Sequence, residues 1–107
     1  MKKSNTSLLP SQGRSLCSLG ANLHLARLRR DLSAAQVAER AGVARTTLIR
    51  LENGDGGVSL ACLLKVLFAL GLDQDILAVA KDDQMGRRLQ DLGLVVKARA
   101  SKKGGVE

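Results

Sequence analysis

The sequence predicts an all-α fold of five short helices, with a flexible N-terminal arm and a basic C-terminal tail. Three observations point there. Apolar residues make up 45% of the 107 positions, yet only Phe68 is aromatic, so the core must be built from Leu, Val and Ala. Strands draw on β-branched and aromatic side chains, helices on Leu and Ala. The apolar residues also recur at helical spacing, in segments punctuated by Gly, Ser, Asp and Asn. Finally, a chain of this length builds one compact domain around one core and has no room for a second of ordinary size.

Residues 1–14 hold Ser, Asn, Gln, Gly and the single proline, and read as a flexible arm. The main domain is expected over 15–80. Leu16, Leu19, Leu23 and Ala26 form a helical stripe over 16–30, with Arg27 and Arg30 beside it and Asp31 where the helix must end. Ser33-Ala34-Ala35-Gln36 is a capping-box sequence: Ser33 can accept from the Gln36 backbone N–H while the Gln36 side chain reaches back. The helix it opens carries Val37, Ala38 and Ala41 on one face and stops at Gly42, a residue suited to the left-handed conformation. After Val43 a third helix begins near Ala44 or Arg45, turns Leu48 and Leu51 inward, and closes at Asn53-Gly54.

Asp55-Gly56-Gly57 is too glycine-rich for regular structure. Ser59 can cap a fourth helix in which Leu60, Leu63, Leu64, Leu67 and Leu70 make a wide apolar stripe ending at Gly71. Asp73 can cap a short fifth helix with Ile76, Leu77 and Val79 as its apolar residues. Residues 81–107 form a C-terminal extension and basic tail. They carry a helical turn through Met85, Leu89 and Leu92, one stretch of strand character at Leu94-Val95-Val96 that can pair across a dimer axis, and Lys97, Arg99, Lys102 and Lys103 near the end.

The net charge is +7, and its location is more informative than its size. Residues 1–50 hold nine Lys/Arg against Asp31 and Glu39, whereas residues 51–107 hold eight of each sign. The whole excess lies in the N-terminal half, for which a phosphate backbone is the natural counterpart. Cys17 and Cys62 stand 45 residues apart without ligand spacing to His24 or to each other, and read as reduced core thiols. No leader-like apolar run follows Met1-Lys2-Lys3, and the apolar stretch around 58–72 is too short to span a bilayer. The expectation is a soluble, cytoplasmic protein with no membrane partner.

Two helices joined at about a right angle through a Gly-containing turn make a helix-turn-helix. Ala41-Gly42-Val43-Ala44 supplies the turn, and Val37, Ala38, Val43, Leu48 and Leu51 supply the small apolar contacts where the helices cross. Arg45, Thr46, Thr47, Arg50 and Ile49 remain outside on the second helix. Its N-terminal residues are those that meet base edges in a major groove. Arg can donate twice to guanine O6 and N7, and Thr offers a hydroxyl plus a methyl suited to thymine. The helix N-terminal amides and the Ser33 hydroxyl suit phosphates. Arg27 is open to two roles, phosphate contact or an ion pair with Glu52. Asn53 is a helix stop that can also contact a phosphate, and His24 has no evident partner.

Several segments, in order, resemble the XRE-type helix-turn-helix family of phage-repressor and Cro-like regulators. They are Leu19-Gly20-(x)2-Leu23, Arg27, Leu32-Ser33-(x)3-Val37-Ala38-(x)2-Ala41-Gly42-Val43, Leu48-(x)2-Leu51-Glu52-Asn53-Gly54 and Leu67-(x)2-Leu70-Gly71-Leu72. The resemblance covers about residues 16–80. It implies a lambda-repressor-like five-helix domain, a homodimer, and operator DNA bound by the third helix. Many members carry glutamine directly after the residue matching Ser33, where this chain has Ala34, so Gln36 is expected to be mainly structural. Asp31 stands where the family usually has glycine, a position Asp tolerates better than most residues.

Glu52 to Leu60, Val66 to Leu72 and Asp82 to Leu92 are similar to HipB-like regulators. That likeness implies an antitoxin that represses its own operon and binds a HipA-type kinase toxin or its companion protein. The alternatives are an interaction module that mainly holds such a kinase, or a plain repressor without a toxin. A single-strand RNA binder lacks aromatic stacking platforms, with no Tyr or Trp. No paired carboxylates, phosphate loop, nucleophile–His set or metal spacing supports an enzyme, and no cofactor is expected.

Overall fold

The computed structural model describes residues 7–93. These form five α-helices and a 3-10 helix, with no strand among the described residues: α1 (Pro10–Arg29), α2 (Ala34–Ala41), α3 (Arg45–Glu52), α4 (Leu60–Ala69), the 3-10 helix (Asp73–Ala78) and α5 (Gln84–Asp91). The all-α expectation holds. Residues 1–6, the Leu94-Val95-Val96 stretch and the basic tail lie outside the described residues.

The chain divides into two compact units, one ending at Leu77 and the other beginning at Ala78. In the first, α1 packs on α3, and α2 packs on both α3 and α4. Leu23 and Ala26 of α1, Val37 and Ala38 of α2, Leu48 and Leu51 of α3, and Val66, Leu67 and Leu70 at α4 make the buried core. Leu19, Leu32, Val43, Leu63, Leu72 and Ile76 seal its margin. Val37, Leu48 and Val66 are fully buried.

Helix α1 begins earlier than expected, so residues 10–14 are helical rather than part of a flexible arm. Pro10 occupies the first helical position, where its missing N–H is no loss, and the Gln12 side chain accepts from the Leu9 backbone N–H at 2.9 Å. Asp31 takes a positive φ of 55° just past α1, in keeping with its expected tolerance.

In α4 the expected stripe is only half right. Leu67 and Leu70 are buried and Leu63 is half-buried, but Leu60 and Leu64 face outward and Val66 fills the core instead. Phe68 is also on the surface, 70% exposed. The helix is apolar nearly all round, so its period alone does not select the inward face. Neither cysteine is a core thiol: Cys17 is exposed, Cys62 is half-buried, and both are free.

The expected fifth α-helix is a 3-10 helix, a geometry used for short segments. The expected turn near residue 85 is a full α-helix. Asp83 accepts from the Gly86 N–H at 3.0 Å at its start, and Met85, Leu89 and Leu92 are exposed. No described helix is long and apolar enough to cross a membrane.

Candidate nucleic-acid interface

Helices α2 and α3 and their junction form as the sequence anticipates. Ser33 Oγ accepts from the Gln36 N–H at 3.1 Å, and Gln36 Oε1 accepts from the Ser33 N–H at 2.8 Å, which completes the capping box. Gln36 therefore serves the helix start. Gly42 ends α2 at φ 73°, ψ 32°, a conformation that costs an L-residue with a Cβ about 1–2 kcal/mol. The Val43 N–H returns to the Ala38 carbonyl at 3.0 Å and fixes the turn into α3.

Two close approaches seat α3 against α1. A Cβ on Gly20 would collide with the Glu52 carbonyl oxygen, and one on Gly54 would lie 2.8 Å from the Cys17 backbone. Backbone meets backbone here because neither residue has a side chain.

One to two turns further along α1 from Gly20 lies a charged cluster. Arg27 donates from Nε to Glu52 Oε2 at 2.7 Å, from Nη2 to Glu52 Oε1 at 2.9 Å, and from Nη1 to the Leu32 carbonyl at 3.1 Å. Both partners are buried, at 8% and 9% exposure. Hydrogen bonding to Glu52 holds the Arg27 guanidinium above its ordinary pKa, against the effect of burial. Burial pushes the Glu52 carboxyl up, but hydrogen bonds from Arg27 and His24, with their charges, outweigh it and leave the group below the usual carboxylate range. Of the two roles open to Arg27, the ion pair is the one this geometry fits. His24 does have a partner: its Nδ1 lies 2.8 Å from Glu52 Oε1.

What faces outward on α3 is largely the expected set. Arg45, Thr46 and Ile49 are exposed, and Thr47 and Arg50 are half-buried. The side chains of Arg45 and Thr46 make no hydrogen bond or ion pair among the described residues. Ser33 caps α2 and Ser59 caps α4 at 3.1 Å from the Cys62 N–H, whereas α3 has Ala44 at its cap and no side-chain bond there. Its first amides are thus open to an outside acceptor. Asn53 is exposed at the far end of the helix as its C-cap.

Arg50 carries a relationship that sequence reasoning missed. Its Nε donates to Asp55 Oδ2 at 2.7 Å, and this bond raises the guanidinium pKa. In the sequence Asp55 reads only as part of a glycine-rich loop, and an acid five residues beyond an arginine is the sole signal there. No group of three or more potential metal ligands gathers among the described residues.

A family model described as a helix-turn-helix domain matches residues 18–79, more than half of the chain. No curated protein matches it.

Proposed function

The chain belongs to the helix-turn-helix domain family, and on that premise we propose that it is a sequence-specific repressor that binds operator DNA. A DNA-binding regulator is what the family supports in general terms. Operator-specific repression, a homodimer, and the individual contacts are the finer reading.

The observation that carries it is the first turn of α3. Arg45 and Thr46 stand exposed there, their side chains without a partner among the described residues, beside uncapped amides, on a helix held from behind by Leu48, Leu51 and the Arg27–Glu52 pair. Such a turn matches the end of a recognition helix that meets base edges. Arg45, Thr46, Thr47 and Arg50 are the proposed base and groove contacts. The α2 start at Ser33 and the α3 end at Asn53 are the proposed phosphate contacts. Two copies related by a twofold axis would read half-sites roughly 34 Å apart.

The likeness to HipB-type regulators supports a narrower role, as a cytoplasmic antitoxin that also binds a HipA-type kinase toxin or its companion. The alternatives are a module that mainly binds such a kinase, and a repressor with no toxin.

Selection from a pool of DNA duplexes with a randomised core tests the reading. The full chain should enrich a common, two-fold-related sequence, and its affinity should fall steeply between low and moderate salt as several phosphates are neutralised. An unenriched pool with a flat salt response would contradict it.

A further inference from the structure

Arg50 and Asp55 are arranged for more than holding a loop. Arg50 lies four residues from Thr46 and three from Thr47, on the same outward side of α3. Asp55 folds back against it through its own backbone, its N–H donating to the Arg50 carbonyl at 3.0 Å. One carboxylate oxygen, Oδ1, accepts from the Gly57 N–H at 2.7 Å, and the other, Oδ2, accepts from Arg50 Nε at 2.7 Å. The carboxylate is therefore anchored by the loop backbone before it reaches the arginine.

The point of attachment matters. A guanidinium has two hydrogen-bonding edges, one through Nε and one through the pair Nη1 and Nη2. Asp55 takes Nε, so the end-on edge, whose two donors match O6 and N7 of a guanine, has no hydrogen-bond partner among the described residues. Both side chains are about one-third exposed, at 37% and 34%, so the pair lies at the surface rather than in the core. A long flexible arginine is in this way restricted to a narrow range of orientations by a fixed anion.

Resting on the reading that α3 faces DNA, we propose that Asp55 is a specificity-determining positioning residue. It aims the Nη edge of Arg50 at one guanine of the site. Asp55 touches no base in this role. Its negative charge opposes the phosphate backbone, so it trades general affinity for selectivity at one position.

The test starts from the duplex that the wild-type full chain selects from a randomised pool, together with its single-base variants. Arg50→Ala, Asp55→Ala and Asp55→Asn are titrated against each, with thermal melts to verify folding. Arg50→Ala should reduce discrimination at one G·C pair by roughly ten- to a hundredfold. Asp55→Ala should weaken discrimination at that same pair, while its affinity for unselected duplex stays level or rises. The Arg50→Ala, Asp55→Ala double variant, titrated alongside, should be no worse at that pair than Arg50→Ala alone. Asp55→Asn keeps an acceptor for Nε without the charge and should retain part of the discrimination; it decides the question should Asp55→Ala not fold. Intact preference at that pair in the Asp55 variants overturns the inference, whether binding is unchanged or tighter. A loss spread evenly over all positions overturns it too, because it marks a loop clamp. If the wild type selects no sequence, the DNA reading fails and this inference with it; if it selects one that Asp55 does not influence, only the inference fails.

Discussion

Arg27 of α1 grips the Glu52 carboxylate at the end of α3 with two bonds, Nε to Oε2 at 2.7 Å and Nη2 to Oε1 at 2.9 Å. Both groups are buried, and the contact sits beside the close backbone approach of Gly20 to Glu52, where an added Cβ would collide with the Glu52 carbonyl. The orientation of the proposed recognition helix is therefore set from behind, by charge and by the absence of a side chain.

Breaking that pair from one side should be costly, because it leaves a buried charge without its partner. Arg27→Met is expected to destabilise the fold by roughly 3–5 kcal/mol. Adding Glu52→Leu should recover much of the loss, since two apolar side chains can replace a buried ion pair at little cost. Denaturant titration of the two variants checks both halves; equal stability of the single and double variants would contradict the pairing.

The same pair predicts a pH dependence. Glu52 has its pKa lowered in the folded protein, so its contribution is fully present above the unfolded carboxyl value of about 4.3 and is lost as pH falls through the folded value. Glu52→Gln should accordingly be much less stable than wild type near neutrality, and the difference should shrink below about pH 4. Urea midpoints across that range measure it. A constant difference would show that Glu52 titrates alike in both states.

Gly20 and Gly42 separate two reasons for having no Cβ. At Gly20 an added methyl meets the Glu52 carbonyl, so Gly20→Ala must push α1 and α3 apart and is expected to cost about 3 kcal/mol. At Gly42 there is open space but a φ of 73°, so Gly42→Ala should cost only about 1–2 kcal/mol. Thermal melts should rank them in that order, and the reverse order would mean that turn strain outweighs the close approach.

Much of this was legible in the chain, for local reasons. The Ser33–Gln36 box, the Gly42 stop and the inward Leu48 and Leu51 are decided within one or two turns of helix, and all appear as expected. What escaped depends on partners distant in sequence or on an unresolved choice of face. Leu60 and Leu64 point outward because α4 offers apolar residues on every side and packing against α2 selects Val66 and Leu67. His24 finds Glu52 across 28 positions, and Asp55 finds Arg50 only because the loop folds back. The outward set on α3 was readable, but the anchoring of Arg50 was not, since it requires the shape of the loop.

The central claim is that the exposed start of α3 reads base edges in the major groove, and methylation interference on the selected duplex tests it most directly. Methyl groups at guanine N7 project into the major groove, and those at adenine N3 into the minor groove. Guanine N7 methylation within each half-site should block binding, and Arg45→Ala should abolish the effect at one guanine while costing about 1–3 kcal/mol of affinity. Interference confined to adenine N3, or an Arg45→Ala pattern identical to wild type, would contradict the account.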